Sequence, residues 1–305
     1  MNPLVNKSLT LILAATLVPG LCGAGEATPD FSVEFGAGYQ YDSNVALVEL
    51  DDISGTADFA TRLRAAVGAT LPLTRHTRLT LGYDIDSTDY AEQDAFDLVL
   101  QHATAGFGVT LAGTELGIAA DRYDADLAGE GYLSLTQVSP SIARLFGSSL
   151  YARLAYSDAA KRFDTDDTRN ADTETWRTDL YWLLNGMDRY VSMSAQRVDE
   201  NALDDALDFG GHAAALAYGQ VFENRVVTVK LKTELRYESR DYATLADAGE
   251  APRQDRRLRA GILLAMPIGK HVELGAELAR IANTSTLESA EFDRTIAGLN
   301  FDVTF

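Results

Sequence analysis

The chain has 305 residues, 46% of them hydrophobic, and a formal net charge of −19 at pH 7. This acidic balance argues against a general affinity for nucleic acid or for anionic membrane surfaces, because both attract basic proteins. Cys22 is the only cysteine, which excludes a disulfide framework within the chain and a zinc site built from several thiolates.

Residues 1–24 are predicted to be a cleaved signal peptide. Lys7 provides a short basic head, residues 8–21 form an apolar segment, and small residues follow, so cleavage is expected after Ala24 or Ala27. The apolar segment is too short for a membrane-spanning helix, which needs about 20 apolar residues. Residues 25–305 are therefore expected to form one exported domain.

Fourteen segments of this domain alternate between apolar and polar residues, a period of two that is typical of strands with two unlike faces. In residues 227–232, for example, three apolar residues alternate with Thr228, Lys230 and Lys232. The predicted strands cover residues 31–41, 59–73, 76–86, 97–111, 114–123, 132–146, 149–157, 174–185, 188–197, 209–222, 225–238, 256–268, 270–281 and 292–305. Alternation is weakest at 97–111 and 132–146, so a count that differs by one hairpin stays open.

Short and long connections alternate along the chain. Six tight turns are expected near residues 74–75, 112–113, 147–148, 185–186, 223–224 and 269–270, most of which contain the Gly or Asn that such turns favour. Seven longer, acidic loops lie between them. Because strands in hydrocarbon must pair on both sides, the sheet must close. The fold class is therefore predicted to be all-β: a transmembrane, antiparallel, up-and-down β-barrel of about 14 strands with periplasmic termini.

Aromatic residues are expected to form two belts at the lipid–water interfaces, where amphipathic rings are favoured. One belt would contain Tyr39, Tyr41, Tyr83, Tyr123, Tyr156, Trp176 and Tyr237, and the other Phe107, Phe146, Trp182, Tyr190 and Phe222. A soluble β-sandwich or propeller would also alternate, but its connections need not alternate between short and long.

The last strand ends on Phe305, on the same face as Val303, Phe301 and Leu299. A terminal Phe on the apolar face resembles the C-terminal signature of bacterial outer-membrane β-barrels. That resemblance implies that Phe305 is the signal read by the barrel-assembly machinery, and that the protein is exported to a Gram-negative outer membrane.

Four stretches resemble a narrower family. They are Gly38-Tyr39-Gln40-Tyr41-Asp42-Ser43-Asn44-Val45, Phe96-Asp97-Leu98 with Gln101-His102, Tyr237-Glu238-Ser239-Arg240-Asp241-Tyr242, and Arg253-Gln254-Asp255-Arg256-Arg257. They are similar to the barrel domain of surface lipoprotein assembly modifiers, barrels joined to tetratricopeptide repeats. The resemblance implies a role in export across the outer membrane. No 34-residue helical repeat fits between the signal peptide and Phe31, so a periplasmic helper or the exported lipoprotein itself is the expected partner.

Basic residues are expected on the inner face of the barrel, because they alternate with apolar residues that would face lipid. The candidates for lining and selectivity are Arg62, Arg64, Arg153, Lys230, Lys232, Arg236, Arg257 and Arg259. They would guide anions through a pore, as charged rings do in channels. The alternative is an inner wall whose charges are simply paired with the acidic residues that share this face.

No catalytic, cofactor-binding or metal-binding residues are predicted. The four histidines show no obvious pairing in the sequence, and the acidic run at residues 164–167 lacks the glycine and distal Glu of a helix–loop–helix calcium site. The predicted function is passage or export across the outer membrane, in contact with outer-membrane lipid and lipopolysaccharide. The alternatives are a passive porin-like channel for small, anionic solutes and a structural or adhesive barrel with acidic surface loops.

Overall fold

The computed structural model describes residues 28–47, 52–242 and 252–305, and the predicted signal peptide lies outside these ranges. Fourteen strands form a closed barrel in which every pair of neighbours is antiparallel. The fold class and the strand count are thus as the alternation predicts. Among the described residues, no helix is long and apolar enough to cross a lipid bilayer.

The barrel strands are β1 (Asp30–Asp42), β4 (Asp58–Pro72), β5 (Thr77–Tyr90), β6 (Leu98–Leu111), β7 (Thr114–Leu127), β8 (Glu130–Phe146), β9 (Leu150–Phe163), β10 (Ala171–Leu183), β11 (Arg189–Ala202), β12 (Phe209–Glu223), β13 (Thr228–Tyr242), β14 (Gln254–Ile268), β15 (Val272–Ser285) and β16 (Phe292–Thr304). Two further strands, β2 (Ala46–Leu47) and β3 (Asp52–Ile53), pair only with each other. Consecutive barrel strands are neighbours, and β1 closes the ring against β16.

The two ends of the barrel differ. One end, the turn end, carries the first residue of β1, the last of β16 and the six short turns; the other is the loop end. At the turn end, Ala112 and Gly113 both have positive φ angles, as a two-residue hairpin turn with the strand twist requires. The short turns therefore lie where their Gly and Asn residues predict.

The outer face of the barrel is apolar. On β1, Phe35 and Tyr39 are 54% and 57% exposed, whereas Gln40 on the opposite face is 8% exposed. The same alternation recurs on the other strands, whose outward residues include Leu63, Val67, Ile118, Leu154, Trp176, Leu216, Leu258 and Leu299. An apolar surface of this extent suits contact with lipid rather than with water.

The strands extend further toward the loop end than predicted. The clearest difference is the expected loop at residues 124–131, which is a two-residue turn formed by Ala128 and Gly129 at φ angles of 51° and 81°. Asp124 and Asp126 belong to β7. The prediction was wrong because strand residues beyond the apolar band can be polar on both faces, so alternation no longer marks them.

Four loop-end connections contain a single 3₁₀ turn followed by a residue in extended conformation. The turns are Asp94–Phe96, Asp167–Arg169, Asp205–Leu207 and Glu288–Ala290. In three of them the following side chain accepts a hydrogen bond from a backbone N–H near the end of the preceding strand: Asp97 from Tyr90, Asn170 from Phe163, and Asp208 from Ala202, each at 2.6 Å. Two acidic loop residues, Asp97 and Asp208, thus satisfy backbone donors.

Candidate site in the barrel interior

The first connection at the loop end, described at residues 43–47 and 52–57, folds over the mouth of the barrel. Leu47 is buried against Leu98, Tyr132 and Leu133 on the β6–β8 wall. Ile53, from the paired strand β3, packs against a second buried cluster on β15 and β16 formed by Ala279, Ile281, Phe292 and Ile296. Because β15 and β8 lie half-way round the ring from each other, this connection, here called the mouth loop, contacts opposite walls.

This packing explains the two segments with weak alternation. Leu98, Leu133 and Leu135 lie on the inner face of the barrel, where the remaining strands carry mostly polar residues, and each is at least 94% buried. Leu98 and Leu133 form part of the apolar surface that receives Leu47. Weak alternation in these two segments was therefore the available sequence signal for the mouth loop, which was not predicted.

The mouth loop is fixed at its base by Asp42, which is fully buried at the end of β1. Arg294 on β16 donates from Nε to both carboxylate oxygens of Asp42, at 2.9 and 2.8 Å, and also from Nη2. Its Nη1 donates to the carbonyl oxygen of Ala46 in the loop, and the Tyr90 hydroxyl also contacts Asp42 at 3.1 Å. This cluster joins the barrel seam to the loop.

The next two residues continue the attachment. Ser43 exchanges hydrogen bonds with Thr295, and Asn44 donates from Nδ2 to the carbonyl oxygen of Asp293 while its Oδ1 accepts from the N–H of Gly55. The Asp42-Ser43-Asn44 segment, part of the stretch that carried the family resemblance, thus holds the two ends of the mouth loop together.

A buried histidine spans three strands below the mouth loop. His102 on β6 places Nδ1 3.0 Å from Asp84 on β5 and Nε2 3.1 Å from Asp121 on β7, and its ring stacks on Tyr123 with centroids 4.1 Å apart. Only a doubly protonated imidazole can donate to both carboxylates. The expectation that the histidines lack partners was therefore wrong for His102, because Asp84 and Asp121 are brought to it by strand register.

The predicted lumen residues occupy three places. Arg62 and Arg64 are half-buried on β4, opposite β11 in the ring. Lys230 and Lys232 lie near the turn end of β13 and pair with Glu273 and Glu234, respectively. The other four lie on the β9–β14 wall, Arg153 on β9, Arg236 on β13, and Arg257 and Arg259 on β14. The structure thus brings Arg236, Arg257 and Arg259 together on two neighbouring strands, and the role of the candidates in selectivity stays a prediction.

Two rows of residues cross this wall, according to the strand register. The first row runs Ala155, Arg177, Gln196, Ala213, Glu238, Arg257, and the second runs Arg153, Asp179, Ser194, Ala215, Arg236, Arg259.

Ion pairs link the charged residues of these rows. Arg177 and Arg153 share Asp179, at 2.8 and 3.8 Å. Arg240, Arg236 and Arg257 surround Glu238 at 3.1, 3.7 and 3.9 Å. Arg259 pairs separately with Glu277 at 3.1 Å.

Accessibility of the lumen falls from the turn end toward the loop end. Along β13, the exposed fraction of the side chain is 40% for Lys230, 25% for Lys232, 32% for Glu234, 17% for Arg236 and 9% for Glu238. At the loop end of the lumen, Asp42 is fully buried. The interior is thus open to solvent at the turn end and occluded from mid-height to the mouth loop.

A cavity of about 100 Å³ lies in the occluded half, against β7–β13. Arg153, Arg177, Glu238 and Arg240 line it together with the small or polar side chains of Ser157, Thr175, Gln196 and Ala213. Two short residues on the inner face of β12, Gly211 and Ala213, form part of its wall. The long guanidinium side chains on the neighbouring strands therefore extend over these short residues.

The two predicted aromatic belts need one correction. Tyr123 stacks on buried His102, and Tyr190 contacts Tyr181, so both rings face the interior rather than lipid. Trp176 and Trp182 are 52% and 59% exposed on the outer face, as expected for belt residues. Phe305 is also exposed, beside His271, and its backbone pairs with that of Val33.

No family model matches the sequence, and no curated protein matches it. Solved structures are similar to it in fold. The anion-selective porin from Comamonas acidovorans is 10% identical, with 91% of this chain and 99% of that one covered and a TM-score of 0.53. A loop L8 deletion mutant of OmpT, an outer membrane protein of Vibrio cholerae, is also 10% identical, with the same coverage and a TM-score of 0.55. The chain therefore has the fold of outer-membrane β-barrels.

Proposed function

We propose that this chain is an outer-membrane channel for small polar solutes whose mouth loop limits passage. One observation carries the proposal: the interior is polar and open at the turn end, and the occlusion at the loop end depends on a short loop that packs through Leu47 and Ile53. A loop docked by a few apolar side chains can move without disturbing the barrel ladder. The likeness to porin folds is consistent with this role.

Planar-bilayer recordings of the refolded barrel test this function. The wild-type chain is expected to conduct rarely or weakly, and a variant in which residues 44–56 are replaced by a short Gly-Ser turn is expected to show steady, larger openings. Heat-modifiable gel mobility confirms folding of each sample. If the folded loop-deletion variant stays silent, the channel proposal is wrong.

A second candidate is an export conduit, which the resemblance to surface lipoprotein assembly modifiers implies. One feature of the lumen favours this export role. The lumen is accessible from the turn end, the side from which a periplasmic cargo or helper would load. Co-purification of a periplasmic protein with the barrel, dependent on Lys230 and Lys232, would support it. A structural or adhesive role would instead give surface binding, with no conductance in the wild-type chain or in the loop-replacement variant.

The membrane setting is part of the same proposal. The apolar outer face supports an outer-membrane location in contact with lipid and lipopolysaccharide, and exposed Phe305 is available as a signal for the barrel-assembly machinery. Deleting Phe305 is expected to reduce insertion in cells while leaving refolding in detergent unchanged. Equal loss of both would contradict a signalling role.

A further inference from the structure

We infer that the cavity against β7–β13 binds a small neutral carbohydrate or polyol, a solute whose hydroxyl groups both donate and accept hydrogen bonds. The inference rests on the proposed channel function for its setting, and it deepens that function by naming the class of solute. Three observations carry it: charges in the lining that are already paired, a set of uncharged hydrogen-bonding side chains between them, and free volume beside short residues.

The charged residues of the lining are compensated by one another or by their neighbours. Every lysine, arginine and acidic side chain that lines the cavity lies against a partner of opposite charge. The pairs are Lys161 with Glu200, Arg153 and Arg177 with Asp179, Arg240 with Glu238, and His102 with Asp121. A charged ligand would lose its hydration here and compete with these pairs, which is costly in a low-dielectric interior. The lining therefore favours a ligand without net charge.

Amide and hydroxyl side chains fill the lining between the ion pairs. They come from four consecutive strands, β8 to β11, and are Gln137, Ser139, Ser157, Thr173, Thr175 and Gln196. Some already form a chain, since Gln137 donates to Ser139 at 2.8 Å and the Ser139 hydroxyl lies 2.9 Å from that of Ser157. Groups of both kinds donate and accept. They match the hydroxyl groups of a sugar or polyol, which do the same.

Arg177 adds a donor that the protein does not use. Its Nε and Nη2 both contact Asp179 at 2.8 Å, and its buried Nη1 makes no hydrogen bond to any part of the chain that the structure describes. Buried donors normally have a partner. A ligand hydroxyl at this edge of the guanidinium group would supply one.

The free volume suits a small ligand of this class. The cavity of about 100 Å³ is bordered by four short residues, Ala155, Ala159, Gly211 and Ala213. A cavity of about 150 Å³ accommodates a six-carbon ring in another protein. Arg153 and Arg177, on the side of the cavity nearest the turn end, remain partly exposed. A monosaccharide can therefore enter from the accessible part of the lumen.

Saturation-transfer NMR on the detergent-folded full chain tests the site with glucose and xylitol as neutral probes, and with glucuronate and glucosamine as charged ones at mildly acidic pH. Saturable binding of at least one neutral probe is expected. Both charged probes should bind about tenfold or more weakly than glucose, since the charges of the lining are already paired. Binding of neither neutral probe, or binding of glucuronate as tight as that of glucose, overturns the inference.

Two substitutions locate the site. Ala213→Leu fills the cavity and should abolish binding, whereas Ala214→Leu, on the exposed outer face of the same strand, is the matched control. Gln196→Leu keeps a similar volume and removes a hydrogen-bonding group, so binding should weaken about three- to tenfold. Equal binding by Ala213→Leu and Ala214→Leu overturns the inference. If Ala213→Leu does not fold, unchanged affinity in folded Gln196→Leu does so.

The result separates the site from the channel. Saturable glucose binding together with a silent loop-replacement variant would keep the site and reject the channel. Steady conductance by that variant, without saturable binding of either neutral probe to the wild-type chain, would keep the channel and reject the site.

Discussion

Arg294 and Asp42 form a buried ion pair across the seam where β16 meets β1, at the point where the mouth loop leaves the barrel. The side chains are 10% and 0% exposed. One interaction thus secures both the closure of the barrel and the base of the loop over its mouth. Any loosening of this pair should therefore affect stability and passage together.

Replacing one member of this pair should be strongly destabilising. Arg294→Met leaves the Asp42 carboxylate buried without its main donor, which typically costs about 3–5 kcal/mol. Urea unfolding of the refolded barrel, followed by gel mobility, measures the loss. The double variant Asp42→Asn with Arg294→Met should recover part of it, and a double variant as unstable as the single one would contradict the expected coupling.

Undocking the mouth loop should open the lumen. Leu47→Asp places a carboxylate among the apolar side chains of Leu98, Tyr132 and Leu133, so the docked position becomes unfavourable. Single-channel recordings should show more frequent openings than in the wild type. Leu203→Asp, on the exposed surface of another loop at the same end, should leave conductance unchanged. An equal change in both variants would point to a general effect of added negative charge.

His102 should be required to hold Asp84 and Asp121 in place. His102→Leu removes the ring that bridges Asp84 and the buried Asp121, so both carboxyl groups lose this hydrogen-bond partner, and a loss of about 3–5 kcal/mol is expected in the free energy of unfolding. Adding Asp121→Leu should restore part of the stability. His212→Leu, at an exposed position on β12, is the control. An equally large loss of stability in that variant would exclude a specific role for His102.

Two turn residues offer stabilising substitutions. Ala112 and Ala128 adopt φ angles of 48° and 51°, a left-handed conformation that Asn tolerates better than Ala. Ala112→Asn and Ala128→Asn should each raise the free energy of unfolding by about 0.5–1 kcal/mol. Because the turns lie at opposite ends of β7, the two gains should add. Gly113→Ala should act in the opposite direction in the same unfolding assay.

The loop at residues 164–170 should respond to acid. The Thr168 hydroxyl and N–H donate to Asp166 and hold the pKa of its carboxyl below the usual value. Since the folded pKa is the lower one, its contribution to stability is present above about pH 3.8 and is lost as the pH falls through the folded value. Thr168→Val should raise this pKa in an NMR titration, whereas Thr165→Val should not.

The strands and turns could be predicted from the sequence because their signals are local. Alternation in β13 or β16 reports which side chains meet lipid, and the Gly residues at 113, 147, 186 and 269 permit the positive φ angles of the short turns. With the need to pair every strand edge in hydrocarbon, these signals are sufficient to predict a closed antiparallel barrel of about fourteen strands. Polar strand ends beyond the apolar band carry no such signal, and there the predicted boundaries were too short.

Only the tertiary structure decided what the interior contains. Asp84, His102 and Asp121 meet because the register of β5, β6 and β7 aligns them. Leu47 and Ile53 reach opposite walls because the closed ring places β8 and β15 face to face. The reason is physical: alternation determines which face a residue occupies, whereas its neighbours on that face depend on register, closure and loop packing, which involve residues far apart in the chain.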